Sequence, residues 1–132
     1  MAIMPVRRDA ATTTFFDGTA RGELLLLRDE QTGELLDPRT DTSFDRDRFV
    51  PVAASGRGTV VSWSVPHTRL PDGSATQSIV GIVQLDEGPW WWAEIRGFTA
   101  DESLDGASVV VGFERSGDGE DDEVIPFFVK SD

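Results

Sequence analysis

His67 is the only histidine of the 132-residue chain, and there is no cysteine. Any mechanism that needs an imidazole must use His67. Every mechanism that needs a thiolate is excluded, as are disulfides and sulfur-ligated zinc. Ser62 and Ser64 stand close upstream of His67, but no serine sits in the Gly-X-Ser-X-Gly turn that presents a nucleophile to a base. A triad would need a nucleophile and an orienting acid from elsewhere, and nothing marks them. No catalytic residue is therefore expected. His67 reads first as a strand-end side chain hydrogen-bonded to backbone, and second as a ligand contact.

Three other clusters carry chemical possibilities. The run Gly117-Asp118-Gly119-Glu120-Asp121-Asp122-Glu123 is rich in the oxygens that hard cations need. Its spacing lacks the alternating ligands and distant bidentate Glu of an EF-hand, so a solvated loop is expected. Trp90-Trp91-Trp92 places two indoles on one side of a strand and one on the other. One side must be core, and core packing and a partner surface are both open for the other. Gly56-Arg57-Gly58 permits close backbone approach with a guanidinium at its centre, suited to a phosphate. A bulge that closes a sheet is the commoner use of such glycines.

The bulk properties narrow the partners. Twelve Lys and Arg against twenty-four Asp and Glu give a net charge of −12, with 39% hydrophobic residues. That is enough apolar content for one core, so the acidity is surface charge on a folded chain. It opposes capture of phosphate backbones, and no nucleic-acid partner is expected. No apolar run reaches the length of a membrane span, and the start lacks a signal-peptide layout. A cytoplasmic chain without a membrane partner is the expectation. Eleven of the twelve basic residues are Arg. This fits a G+C-rich coding sequence and locates no site.

The elements that must position these residues fall into two blocks, 1–50 and 51–132. In the first, Asp9 is expected to cap a short helix carrying Phe15 and Phe16, with Gly18 as its stop. Residues 23–28 read as a strand, 29–33 as a turn and 34–36 as the return strand. Residues 40–48 hold three Asp, two Arg, two Thr, one Ser and Phe44, and read as an ordered loop. The second block shows period-2 runs at 58–65, 77–85, 90–95, 108–114 and 124–129. Val61, Trp63 and Val65 are assigned to one face of the first run, with Val60, Ser62 and Ser64 on the other. Residues 66–73 read as a loop, and 101–104 as one helical turn. Three strands, a helical insert and two more strands is the order of an OB-fold barrel. The expected class is mainly β, a five-stranded OB-fold preceded by a short helix and a ribbon-like hairpin.

With that order in place, the chain resembles the acyl-CoA-associated zinc-ribbon/OB-fold family, domain of unknown function family 35. The resemblance is carried by Phe15-Phe16 with Gly22-Glu23-Leu24, and by Leu27-Arg28, Gly33 and Pro38-Arg39. It continues through 55–62, through 83–88, and through Gly112-Phe113-Glu114 with Ile125-Pro126-Phe127. In the family four cysteines of the ribbon hold zinc. Asp29, Thr32, Thr42 and Asp45 align with those positions, a set without thiolate or imidazole, so a degenerate ribbon without zinc is expected. Gln77-Ser78 also replaces an aromatic residue that the family often has there.

The resemblance implies a partner rather than a catalyst. Members associate with thiolase-superfamily enzymes, including thiolases, acyltransferases and lipid-transfer-protein-type aldolases of steroid side-chain degradation. The large subunit carries the catalytic residues. The small one completes or stabilises the acyl-CoA site, so acyl-CoA is expected to be shared with a thiolase-like large subunit in a hetero-oligomer, with no cofactor held tightly by this chain. Gly56, Arg57, Gly58 and His67 are the candidates to approach that ligand, and Trp91 and Trp92 those for the partner interface. An OB-fold nucleic-acid-binding or other protein-interaction module is the alternative.

Overall fold

The computed structural model describes residues 6–9, 12–40 and 42–131. The chain runs through helix α1 (Thr13–Ala20) and strands β1 (Leu25–Asp29), β2 (Leu35–Leu36) and β3 (Phe49–Ala53). It continues through β4 (Arg57–Ser64), β5 (His67–Arg69), β6 (Ala75–Gln77), β7 (Ile79–Leu85), β8 (Trp90–Arg96), β9 (Ser108–Arg115) and β10 (Val124–Lys130). A single 3-10 turn, Arg46–Arg48, precedes β3. Five strands close a barrel in the order β10-β8-β7-β4-β9. All pair antiparallel except β10 with β8, where Phe128 meets Ile95 and Val129 meets Arg96 in parallel. This is the mainly β, five-stranded OB-fold with a preceding helix that the segment order implied.

The helix forms but both starts and ends later than expected: its N-cap is Thr12 rather than Asp9, and it runs to Ala20. Asp9 Oδ1 accepts hydrogen bonds from the Thr12 N–H and hydroxyl, holding the chain in the turn before α1. Gly18, expected as the stop, lies inside the helix and is buried. A Cβ at Gly18 would stand 2.6 Å from Leu25 Cγ, so the glycine serves close packing of α1 on β1. The chain turns out of the helix at Gly22, whose φ is 78°.

The ribbon is a three-stranded sheet, β2-β1-β3, rather than a lone hairpin. β3 pairs with all of β1, from Leu25 opposite Ala53 to Asp29 opposite Phe49. It straddles position 50, where the two blocks were divided. Leu24 and Leu26 are 1% exposed and belong to the same apolar cluster as Val60, Val83, Leu85, Ile95 and Phe128 of the barrel. The ribbon is therefore rooted in the barrel core, at roughly 1.5–3 kcal/mol per fully buried leucine.

Three local expectations are corrected. Register slips between Val60 and Ser62 on β4, and this bulge changes the parity of the strand. Val60 is buried at 2% while Val61 is 37% exposed, so Val61 does not share a face with half-buried Trp63 and Val65. The loop at 66–73 and the start of the 77–85 run instead form a separate two-stranded hairpin, β5 with β6, in which His67 faces Gln77. No helical turn forms at 101–104. The Glu102 N–H bonds Thr99 O, Glu102 Oε1 accepts from the Thr99 N–H, and Leu104 is fully buried. Burying Leu104 as a plug, with that side-chain clasp, replaces the helical turn.

Candidate functional site

β8 alternates as the three tryptophans required, and the structure separates their roles. Trp91 faces inward and is half-buried against the core. Its ring stacks on Phe15 of α1, centroids 5.2 Å apart at 28°, and the Arg39 guanidinium lies 5.1 Å from its centroid. Trp91 thus ties helix, ribbon and barrel together. Trp90 and Trp92 face outward, 51% and 57% exposed. Trp92 lies opposite Ile82 in the ladder and Trp90 opposite Gln84. Trp90 also lines a groove of about 770 Å³ with Leu35, Leu36, Pro89, Glu34 and Glu87. On the inner side, Phe15, Trp91, Pro38, Arg39 and Arg46 line a second groove of about 640 Å³. Arg39 borders both, with its guanidinium bonded to the Asp37 carboxylate.

The four positions aligned with zinc ligands do other work. Asp29 is 4% exposed, and its two oxygens receive Arg48 Nε at 2.9 Å and Nη2 at 2.7 Å. Asp29 Oδ1 also accepts the Gln31 N–H at 2.8 Å. The Arg48 fork holds the Asp29 carboxyl well below the usual carboxylate range, against the opposing effect of burial. The Thr32 hydroxyl accepts the Glu34 N–H, and the Thr42 carbonyl accepts the Asp45 N–H. A carboxylate already saturated by a guanidinium, with two hydroxyls, does not suit zinc. Among the described residues no three His, Cys, Asp or Glu side chains converge as a metal site. The ribbon is closed across its mouth by Asp29 and Arg48, with the Glu30 N–H bonded to Arg48 O at 2.7 Å.

The ligand-proximal candidates do not converge. Gly56 has φ 84° and its missing Cβ leaves room for Val111, while Gly58 packs against Val83 and Gln84. Both glycines serve barrel closure. Arg57 is exposed at one end of β4, where its carbonyl accepts the Asp86 N–H. His67 lies beyond the other end, and the eight residues of β4 alone span about 25 Å. Its ring nitrogen Nε2 is 2.7 Å from Gln77 Nε2, a side-chain partner where a backbone one was expected.

Three arginines that no motif marked organise the remaining polar surface. Arg8 pairs with Glu123 at 2.8 Å and Asp17 at 2.6 Å, and depresses the Glu123 carboxyl. Arg96 binds Glu94 and Glu114 and lies 3.9 Å over the Phe127 ring, lowering the Glu114 carboxyl. Arg48 closes the ribbon. The acidic run at 117–123 is not simply solvated: Asp122 is buried, caps the Gly119 N–H at 2.9 Å, and faces Arg7. Partners more than a hundred residues apart in sequence leave no local signal.

Residues 51–114 match the family described as the ChsH2 C-terminal OB-fold domain. The match takes in β4, β7, β8 and nearly all of β9, and stops before β10. Over 114 residues the chain is 32% identical to the 3-oxo-4,17-pregnadiene-20-carboxyl-CoA hydratase alpha subunit of Mycobacterium tuberculosis (strain ATCC 25618 / H37Rv). The match covers 84% of this chain and 34% of that subunit, so the chain spans about a third of its curated relative. Among solved structures, a chain of the Ltp2-ChsH2(DUF35) aldolase superposes with a TM-score of 0.76 at 20% identity. That superposition covers 93% of this chain and 96% of the other, so the two chains share one fold across barrel and ribbon. Among the described residues no helix is long and apolar enough to cross a membrane.

Proposed function

We propose that this chain is a non-catalytic accessory subunit of a thiolase-superfamily acyl-CoA enzyme, an aldolase of steroid side-chain degradation. The observation that carries this reading is the pairing of two half-exposed tryptophans with a lone, exposed histidine bonded to an amide side chain. A docking surface without an acid–base pair suits a subunit whose partner performs the chemistry. The relatives supply the class. One is named as a subunit acting on a steroid-derived CoA thioester, the other as a complex with Ltp2.

In this reading acyl-CoA is shared with the large, thiolase-like subunit in the cytoplasm, and this chain holds no cofactor alone. Arg57 and His67 lie too far apart for one small site, so each would approach a different part of an extended ligand or only one would approach it. The test is to purify the chain alone and with an Ltp2-type subunit, and to follow retro-aldol cleavage of a steroid side-chain CoA thioester. The chain alone should be inactive, and the large subunit should gain activity or stability on its addition. Cleavage by the isolated chain, abolished in His67→Ala, would reverse the assignment. A low-salt binding scan with single-stranded DNA and RNA checks the nucleic-acid alternative, which the charge of −12 opposes.

A further inference from the structure

We propose that the outward face of β4, β7 and β8, with the groove beside Trp90, docks a second, different protein chain through an apolar pocket rimmed by basic side chains. This rests on the accessory-subunit reading and names the surface that subunit uses. Trp90 and Trp92 form a ridge, 51% and 57% exposed, and Ile82 lies opposite Trp92 on the neighbouring strand. The bulge on β4 turns Val61 outward as well, 37% exposed. Beside the ridge runs the groove of about 770 Å³ that Trp90 shares with Leu35, Leu36 and Pro89, along β2 at the free edge of the ribbon sheet. A ridge of indoles next to an apolar groove is surface that a monomer rarely leaves uncovered.

Charge selects the occupant. Glu34 and Glu87 lie in the groove, Asp86 is exposed at the adjoining turn beside exposed Arg57, and Arg39 is engaged by Asp37, so acids outnumber cations along this border. A second copy would bring another chain of net charge −12 against this acidic border. Anionic lipid headgroups and nucleic-acid phosphates meet the same repulsion. A different chain with Arg and Lys around an apolar pocket gains both burial and field complementarity. Size points the same way. Two half-exposed indoles and Val61 offer roughly 300 Å² of apolar area against about 800 Å² per side in a stable interface. They are the anchoring residues of a wider contact, the role that tryptophan most often has in protein interfaces.

The test titrates the large, thiolase-like subunit of the proposed complex with the wild-type chain and with four variants, by calorimetry. Trp90→Ala and Trp92→Ala should each weaken binding by at least about 30-fold, the scale of an anchoring residue. Gln84→Lys, an exposed substitution opposite Trp90, sets a positive charge against the basic rim and should weaken it by about tenfold even if an indole deletion disturbs the barrel. Phe44→Ala removes the other strongly exposed aromatic, 69% exposed and outside the face, and should leave affinity within about threefold. Wild-type affinity should fall between about 50 and about 300 mM salt. Trp90, Trp92 and Gln84 variants that bind like wild type overturn the assignment of this face while the accessory reading stands. Sedimentation showing a wild-type dimer that Trp92→Ala dissolves overturns it in favour of a second copy. A wild-type chain that does not bind the large subunit removes both readings.

Discussion

Replacing Trp91 and Trp92 one at a time separates a side chain that holds the fold from one that faces outward. Trp91 is half-buried and stacked on Phe15 at 5.2 Å, whereas Trp92 keeps 57% of its surface in water. Deleting a fully buried tryptophan costs about 3–5 kcal/mol, so half-burial scales this to about 2 kcal/mol. The lost stack with Phe15 adds about 1 kcal/mol. For a chain of 132 residues, each kcal/mol corresponds to about 3–5 °C in Tm. Trp91→Ala should therefore lower Tm by about 9–15 °C, and Trp92→Ala by no more than about 3 °C. The assay is thermal unfolding by far-ultraviolet circular dichroism, with urea unfolding to compare midpoints at a common slope. A double-mutant cycle with Phe15→Ala should return about 1 kcal/mol of coupling to Trp91 and none to Trp92. Equal losses for the two tryptophans, or no coupling between Phe15 and Trp91, would refute the division of the strand into an inner and an outer side.

Acid should unfold the protein through its arginine-bound carboxylates. Asp29, Glu114 and Glu123 are held below their ordinary range by Arg48, Arg96 and Arg8. A depressed folded-state pKa gives stability that is complete above the unfolded value, near 4, and is lost as pH falls through the folded value. Urea midpoints should thus hold between about pH 5 and 7 and decline below about 4, with Asp29→Asn less stable at neutral pH and showing a flatter acid decline. Elemental analysis should find no stoichiometric zinc, since Asp29 is committed to Arg48 and Thr32, Thr42 and Asp45 offer no soft ligand; about one zinc per chain would overturn the ribbon assignment. Calorimetry with CoA should show little binding to the isolated chain of net charge −12 and binding to the complex, with subunit association slowing as salt rises. Tight CoA binding by the isolated chain would count against a shared site.

The barrel strands were legible because period-2 patterning and turn residues mark them, as in the 77–85 run closed by the Asp86-Glu87-Gly88-Pro89 turn, of which 79–85 form β7 while Gln77 ends β6. β3 was missed because Pro51 interrupts it. Proline is tolerated there because β3 is an edge strand, paired only with β1 in the order β2-β1-β3. The exposure of Val61 was unreadable for a different reason. A bulge adds one residue to one strand and reverses its parity without changing its composition, so alternation counted from Trp63 fails one turn of the pleat earlier. Gly18 failed because a glycine that ends a helix and one that admits a neighbouring leucine look alike until the neighbour is in place. Inner and outer tryptophans were readable as a pair of sides, but which side faced Phe15 required the helix to be docked.

The ribbon shows how a three-stranded sheet can hold its geometry without a cysteine in the chain. Zinc usually compensates for a core too small to hold such a module alone. Here Leu24 and Leu26 extend into the barrel's apolar cluster, and Trp91 clamps Phe15 above them, so the module does not depend on its own core. What remains to be fixed is the open end, where Asp29 would otherwise be a buried carboxylate. Arg48, nineteen residues on, supplies the two donors that carboxylate requires and brings β3 into register with β1 in the same step. Removing only Arg48 should therefore be worse than removing both partners, because Asp29 would be left as a buried charge without its counter-charge, held only by the turn N–H groups. The single and double variants, Arg48→Met and Asp29→Leu with Arg48→Met, place that order under direct test by urea unfolding. A double variant less stable than the single one would mean that Asp29 serves the ribbon mainly through the turn at Gln31 and Thr32.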